Sequence, residues 1–243
     1  RLIKRDNIDD FTDDNHIIIV NPNNPDGKLL DINIVQKLLD KLKDKNKFLI
    51  YDESFADFCF EKDISLINNN KLLINDNLII VKSLGKTYGI AGLRLGFLFN
   101  KQSNNISYWR SKLPIWNINS FAEVFLDLLP RYKNEYFSSL KKIKNNTLKF
   151  YSALNEFEND LFKVHQPSAN FILVSFASID LLRKVELGLF REFYLSKSLI
   201  NRKGLPSYCL RLAVLDEETN FKVENTLSVP LKEARENFEK EYL

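Results

Sequence analysis

Short apolar runs alternate with helix-length segments over the first hundred residues of the chain. Four of these runs are typical of buried strands and end beside polar or turn-forming residues: HIIIV (16–20), FLIYDES (48–54), NLIIVKS (77–83) and LRLGFLF (93–99). Between the first two runs, Ile34, Leu38 and Leu42 recur at helical spacing behind Asp31, which can cap a helix. This alternation predicts an α/β domain with a largely parallel sheet.

The hydrophobic pattern changes after about residue 105. Apolar positions there predict helices over 105–129 and 132–157, two strands within 162–176, a helix around 186–197, a strand over 207–215, and an amphipathic helix at 231–243. Strands and helices of this mixed order are typical of an α+β layer. We therefore expect a second, smaller domain in the C-terminal part of the chain.

Three polar residues follow apolar runs of the first domain. Asn24 comes after the first run, Asp52 ends the second, and Lys86 follows the third. Because ligands of open α/β sheets bind beyond the carboxyl ends of the strands, we expect these side chains to share one edge of the sheet. That edge is the first candidate for a functional site.

Lys86 lies within SLGKTYGIAGLRLGF (83–97), which allows three interpretations. A phosphate-binding P-loop needs a glycine five residues before the glycine that precedes the lysine, and that position is Ile80. A surface lysine in a loop does not account for the glycines at 89, 92 and 96, three of only seven in the chain. The remaining interpretation is a lysine that forms a Schiff base with a cofactor.

Composition excludes several other classes of protein. The formal net charge of +3 is spread among interleaved acids and bases, so we expect neither nucleic acid nor a membrane surface as a partner. No apolar run approaches the ~20 residues of a membrane span. The only cysteines, Cys59 and Cys209, and the only histidines, His16 and His165, lack zinc-ligand spacing. We expect a soluble cytoplasmic protein without a metal site.

Four motifs together resemble one family. NPNNPDG (21–27), YDESFADF (51–58), SLGKTYGIAGLRLGF (83–97) and YCLRLAV (208–214) are similar to fold-type I pyridoxal-phosphate enzymes of the class I/II aminotransferase superfamily. The resemblance is strongest to the branch of histidinol-phosphate aminotransferase and threonine-phosphate decarboxylase, and it covers about residues 10–215. It implies a three-layer fold in which helices cover both faces of a mixed, mostly parallel sheet.

The resemblance also implies a role for each matching residue of the cofactor site. Lys86 would form the Schiff base with pyridoxal 5'-phosphate and act as the general acid and base at the substrate carbon. Asp52 would pair with the pyridinium nitrogen, and Asn24 would donate a hydrogen bond to the phenolic oxygen. Ser83 and Arg94 would hold the cofactor phosphate.

The resemblance assigns two arginines to the substrate and places a third residue, Phe55, at the cofactor. Arg211 would bind the substrate carboxylate, and Arg202 would face a distal phosphate. Most aminotransferases of this branch carry a cofactor-contacting tyrosine three residues after the aspartate, where this chain has Phe55. Phe55, and the similarity of residues 113–123 to the decarboxylases, favour a decarboxylase of serine- or threonine-phosphate as the alternative to an aminotransferase. A cofactor-free dimerisation module is the alternative that involves no catalysis.

The start of the chain and the family resemblance predict its extent and its domains. It begins at Arg1, contains no methionine, and starts in the middle of the family's pattern, so we expect the natural protein to be longer at its N-terminus. On the resemblance, residues 1–145 would be the C-terminal part of the large cofactor-binding domain and residues 146–243 the small domain. The resemblance also implies a homodimer.

Overall fold

The computed structural model describes residues 15–60 and 64–242. They divide into two compact units, one formed by the residues before Pro25 with Leu29–Leu140, the other by Pro25–Lys28 with the residues from Lys141 onward. The division falls inside one long helix. Residues 1–14 of the predicted first domain lie outside the described part of the chain.

The first unit is built around a four-stranded sheet. Its elements are β1 (Ile17–Val20), α1 (Ile32–Lys43), β2 (Leu49–Asp52), α2 (Asn70–Leu73), β3 (Leu78–Ser83), α3 (Leu84–Thr87), β4 (Gly96–Phe99), α4 (Ser103–Arg110), α5 (Ser120–Leu128) and the start of α6 (Lys133–Asn155). The strand order is β1-β2-β3-β4, with β1, β2 and β3 parallel and β4 antiparallel to β3. The predicted α/β class with a mixed, mostly parallel sheet is confirmed.

The apolar spacing of α1 explains how this unit forms its core. Asp31 caps the helix by accepting a hydrogen bond from the amide of Asn33 at 2.7 Å. Val35, Leu38 and Leu39 are fully buried and pack in one cluster with residues of the sheet. An apolar stripe of this kind supplies most of the stability of a short helix, because helix propensity alone does not sustain it in water.

The second unit contains the rest of α6, followed by β5 (Phe162–Val164), β6 (Phe171–Phe176), α7 (Ile179–Arg191), β7 (Lys197–Ser198), β8 (Cys209–Ala213) and α8 (Glu217–Tyr242). Its sheet has the order β5-β6-β8-β7, and every neighbouring pair is antiparallel. Residues of the sheet, α6, α7 and α8 form one buried apolar cluster. This is the α+β layer that the sequence predicts.

Three predicted bounds are corrected by the structure. The helix expected around 186–197 is α7 at Ile179–Arg191, which Ser178 caps through the amide of Leu181. The strand expected over 93–99 is shorter, because Ala91–Leu93 form a 3-10 turn and only Gly96–Phe99 are extended. The C-terminal helix begins at Glu217, well before residue 231.

No helix in the described ranges is long and apolar enough to cross a membrane.

Candidate active site

A cleft opens at the carboxyl ends of β2 and β3 in the first unit. Its volume is about 510 Å³, and four of the predicted site residues line it: Asp52, Ser83, Lys86 and Arg94. The cleft therefore combines a carboxylate, a hydroxyl, a primary amine and a guanidinium. Its position follows from the parallel pairing of the strands, because residues that end neighbouring parallel strands meet at one edge of the sheet.

The ends of β2 and β3 position Asp52 and Ser83. Asp52 is the last residue of β2, and its Oδ1 accepts a hydrogen bond from the amide of Ser54 at 2.9 Å. Ser83 is the last residue of β3, and its amide donates to the hydroxyl of Ser54 at 2.9 Å. Ser54 lines the same cleft and is buried, with 6% of its surface exposed. Ser54 lies within the motif YDESFADF but was not among the predicted site residues.

Lys86 stands on the short helix α3, directly after β3. The amides of Leu84 and Gly85 both donate to the carbonyl of Leu95, at 3.1 and 3.4 Å, which ties the start of the helix to the chain before β4. Lys86 itself is exposed. A short helix that follows a strand at this edge of the sheet directs its residues towards the region where ligands of such folds bind.

Arg94 lines the cleft from a sharp bend between the 3-10 turn and β4. Its backbone adopts the left-handed conformation with φ of 57°, which is uncommon outside glycine and is enriched at functional sites. Nearby, Gly96 passes so close to β3 that a Cβ atom would lie 2.9 Å from the carbonyl oxygen of Lys82. Only glycine fits there, which explains one of the clustered glycines of the motif.

A buried charged network lies beside Asp52. Glu53 is fully buried and accepts hydrogen bonds from the Ser65 hydroxyl at 2.7 Å and the Leu66 amide at 2.8 Å. The ammonium of Lys82 lies 3.9 Å from Glu53 and 2.8 Å from Asp57. Burial raises the pKa of Glu53 above its ordinary value, and the hydrogen bond from Ser65 and the charge of Lys82 oppose that rise.

The same network reaches the helix that carries Lys86. Tyr136, in α6, is hydrogen-bonded to Asp57, and burial raises the pKa of its phenol. The ring of Tyr136 packs on that of Tyr88, with ring centroids 4.5 Å apart. Tyr88 directly follows α3. The sequence contained one signal for this network: the apolar run FLIYDES (48–54) ends in acidic residues.

Asn24 and Phe55, two more of the predicted cofactor residues, do not line the cleft. Asn24 is exposed in the loop after β1. Asn21 holds this loop by accepting a hydrogen bond from the Leu30 amide at 2.8 Å and donating to the Tyr51 hydroxyl at 2.6 Å. Phe55 is buried just after Ser54, with 8% of its surface exposed.

The two predicted substrate arginines belong to the second unit. Arg211 lies on β8, where its guanidinium carbon is 5.0 Å from the ring centroid of Phe171 and burial lowers its pKa. Arg202 lies in the loop between β7 and β8 and is exposed.

The segment between α4 and α5 also contributes to the cleft. Leu113 and Asn117 are among its lining residues. Asn119 caps α5 through the amide of Ala122 and donates to the carbonyl of Leu93 at 3.1 Å, beside Arg94. Residues 113–123 of this segment resemble the decarboxylases, but no site residue was predicted within it.

The first unit is an α/β fold with a candidate ligand site at the carboxyl ends of its strands, and comparisons with known proteins identify the family. The sequence model of one protein family, aminotransferase class I and II, matches residues 5–223. The chain therefore belongs to that family, and the assignment from the four motifs is confirmed.

Individual relatives differ in their named activities. The chain is 32% identical over 191 residues to the CMP-5'-(3-aminopropyl)phosphonate synthase of Streptomyces rubellomurinus. This match covers 78% of this chain and 29% of the relative. It is 30% identical over 224 residues to the L-serine phosphate decarboxylase of Sulfurospirillum multivorans, covering 90% of this chain and 56% of the relative. The crystal structure of the histidinol-phosphate aminotransferase from Clostridium acetobutylicum matches with a TM-score of 0.82 at 28% identity, covering 94% of this chain and 66% of that one.

Proposed function

We propose that the chain carries the cofactor site of a pyridoxal-phosphate-dependent aminotransferase acting on an amino acid or a phosphorylated amino compound. The observation that supports this most directly is the single cleft lined by Asp52, Ser83, Lys86 and Arg94. An amine suits the cofactor's aldehyde, a carboxylate its ring nitrogen, and a guanidinium with a hydroxyl its phosphate. The residues present therefore fit the cofactor.

In this proposal, the cleft residues divide the chemistry between them. When bound, pyridoxal phosphate supplies an electron-accepting ring to the substrate carbon. Lys86 would hold the cofactor covalently and would move a proton at that carbon. Asp52 would keep the ring nitrogen protonated, because its negative charge favours the cationic form. Asn24, which does not line the cleft, would donate a hydrogen bond to the phenolic oxygen from the loop after β1.

Ser83 and Arg94 hold the cofactor phosphate. The planar guanidinium of Arg94 suits a phosphoryl group because it offers parallel donors. Ser83 occupies the position before α3, where a serine commonly caps the helix, but its side chain makes no capping hydrogen bond. This hydroxyl is therefore not committed to the helix, which supports a role towards a ligand.

Arg211 binds the substrate carboxylate and Arg202 the distal phosphate. To test the second role, KM is compared for a phosphorylated substrate and its dephosphorylated analogue. We expect Arg202→Ala to raise KM for the phosphorylated substrate only, because the dephosphorylated analogue has no phosphate for the guanidinium to bind. The neighbouring exposed Lys203→Ala is the matched control. Equal effects of both variants on both substrates would remove Arg202 from the site.

A decarboxylase of L-serine- or L-threonine-O-phosphate is the second candidate. Two observations favour it: the L-serine phosphate decarboxylase among the similar proteins, and Phe55, which has no hydroxyl to offer the cofactor. Both activities use the same cofactor site. They differ in which bond at the substrate carbon breaks, a C–H bond for transamination or the bond to the carboxylate for decarboxylation.

Cofactor binding is tested first, with the full-length protein that carries this chain. We expect the visible absorbance band of lysine-bound pyridoxal phosphate, lost after borohydride reduction and absent from Lys86→Ala. Lys101→Ala is the matched control, since Lys101 is an exposed lysine of the same unit, 53% exposed. A wild-type protein without the band would overturn the proposal and favour a cofactor-free dimerisation module.

The two activities are then separated with O-phosphoserine. An aminotransferase passes the amino group to an added keto acid and releases no carbon dioxide. A decarboxylase releases carbon dioxide without any keto acid, and this result would replace the first candidate with the second. The Lys86→Ala variant serves as the blank for both assays.

We also propose that the protein is a cytoplasmic homodimer. Large apolar side chains are exposed in the first unit, with Ile115 97%, Trp116 92% and Phe121 79% exposed, and such surfaces are typical of protein interfaces. Cys59 and Cys209 are both buried, and a chain of 243 residues with only two cysteines suits a reducing compartment. Sedimentation should give twice the mass of one chain, and Trp116→Ser with Phe121→Ser should reduce it to one. A wild-type monomer would contradict the dimer.

A further inference from the structure

The hydrogen-bond ladder between β2 and β3 ends in an unusual way. The amide of Glu53 donates to the carbonyl of Val81 at 3.0 Å, as a parallel ladder requires. The next bond of the ladder would join the amide of Ser83 to the carbonyl of Glu53. That carbonyl instead accepts from the amide of Ala56 at 3.0 Å, because the chain turns into a 3-10 helix.

The hydroxyl of Ser54 takes the place of the missing carbonyl. It accepts the hydrogen bond from the amide of Ser83 at 2.9 Å, and the Ser54 amide donates to the Asp52 carboxylate at 2.9 Å. One buried residue therefore contacts both Asp52 and Ser83, the residues proposed for opposite ends of the cofactor. A buried amide without an acceptor is costly, so this serine hydroxyl constrains the main chain of Ser83.

We propose that Ser54 is a positioning residue for the phosphate end of the cofactor site. By holding the amide of Ser83, its hydroxyl directs the Ser83 side chain towards the phosphate. In this proposal, Ser54 acts on the phosphate through Ser83 and not through a contact of its own. This inference rests on the proposed function, because it needs the cofactor to bind in the cleft.

The test compares pyridoxal phosphate with pyridoxal, which lacks the phosphate. Dissociation constants for both are measured by absorbance titration of the full-length apoprotein. We expect Ser54→Ala to weaken pyridoxal phosphate about two- to tenfold, the range of one hydrogen bond, and to leave pyridoxal unchanged. We expect Ser54→Thr, which keeps the hydroxyl, to restore the wild-type ratio of the two constants.

Ser65→Ala is the matched control for a purely structural role. Ser65 is 5% exposed, and its hydroxyl also bonds a neighbour of the cleft residues, Glu53, at 2.7 Å. Its loss should lower the urea midpoint without changing the ratio of the two dissociation constants. If Ser54→Ala does not fold, Ser54→Cys gives the same comparison, because a thiol is of similar size and a weak acceptor.

The outcomes separate this inference from the function on which it rests. A wild-type protein that binds neither compound overturns both. A wild-type protein that binds pyridoxal phosphate, with a Ser54→Ala variant that has the same ratio of constants, overturns the role of Ser54 alone. A selective loss for pyridoxal phosphate, restored by threonine and absent from Ser65→Ala, supports it.

Discussion

In the first unit the buried side chains include Glu53 and Lys82, whereas in the second unit the large buried cluster is apolar. No other charged residue in the described ranges is buried. Buried charges are costly unless they are paired and hydrogen-bonded, so their concentration beside the cleft calls for a reason.

The difference shows how the two units use their interiors. The interior of the second unit is dominated by apolar side chains such as Phe162, Ile172 and Leu182, and its buried polar residues, Thr147, Ser175 and Asn220, carry no charge. The first unit buries the carboxylate of Glu53, the residue that follows Asp52, together with the ammonium of Lys82, and burying these charges is costly. Residues beside functional sites commonly reduce folding stability, because the chemistry of the site restricts which residue types can stand there.

The largest expected effect tests the buried network. Lys82→Met removes the ammonium that lies 2.8 Å from Asp57 and 3.9 Å from Glu53. We expect the free energy of unfolding to fall by about 3–5 kcal/mol, because a buried carboxylate loses its partner. Urea denaturation of the purified protein measures the change.

The control lies in the second unit and has nearly the same geometry. Lys149 pairs with Glu217 at 2.7 Å, but these side chains are 64% and 71% exposed. Lys149→Met should cost only about 0–1 kcal/mol, since solvent screens the pair. Equal losses in the two variants would mean that burial does not distinguish the pairs.

Acid should reduce the loss in Lys82→Met. Burial raises the native pKa of Glu53 above 4.5, and Lys82 opposes that rise, so the variant should raise it further. A carboxyl with a raised native pKa costs stability as the pH rises from the unfolded pKa through the native one. The difference between wild type and variant should therefore shrink as the pH approaches 4.5. A pH-independent difference would contradict this assignment.

The next effect tests the apolar core of the second unit. Leu182 is fully buried, with 0% of its surface accessible to solvent, and Leu182→Ala should cost about 2–5 kcal/mol through lost burial and a cavity. Leu187→Ala, on the same helix but 49% exposed, should cost less than about 1 kcal/mol. Urea midpoints of the two variants give the comparison, and similar midpoints would show that α7 is not packed as described.

The hydrophobic pattern predicted the two sheets well because buried strands are short apolar runs. It placed α7 too late, since the exposed apolar side chains of Phe193 and Leu195 continue the pattern beyond the end of the helix. It also extended β4 through Arg94, where the left-handed backbone follows from a turn and not from hydrophobicity.

The candidate site was predictable where it depends on strand ends. Asp52 and Lys86 line one cleft because the topology of parallel strands brings them there, whereas Asn24, which was expected at the same edge, does not line it. Ser54 was not predictable, because its role depends on the Glu53 carbonyl turning away to accept from Ala56. A sequence does not show which of two acceptors a given amide finds, since that is decided by tertiary geometry.

The smallest effects concern helix caps, where the two units should behave alike except for charge. Asp31 caps α1 and Ser178 caps α7, each through an amide of the first turn. Alanine at either position should cost about 1 kcal/mol, because one backbone donor loses its acceptor. Asp31 also places a negative charge at a helix N-terminus, so only its contribution should weaken with added salt. Urea denaturation at low and high ionic strength checks this, and a salt-dependent loss in Ser178→Ala would show that the caps do not differ by charge alone.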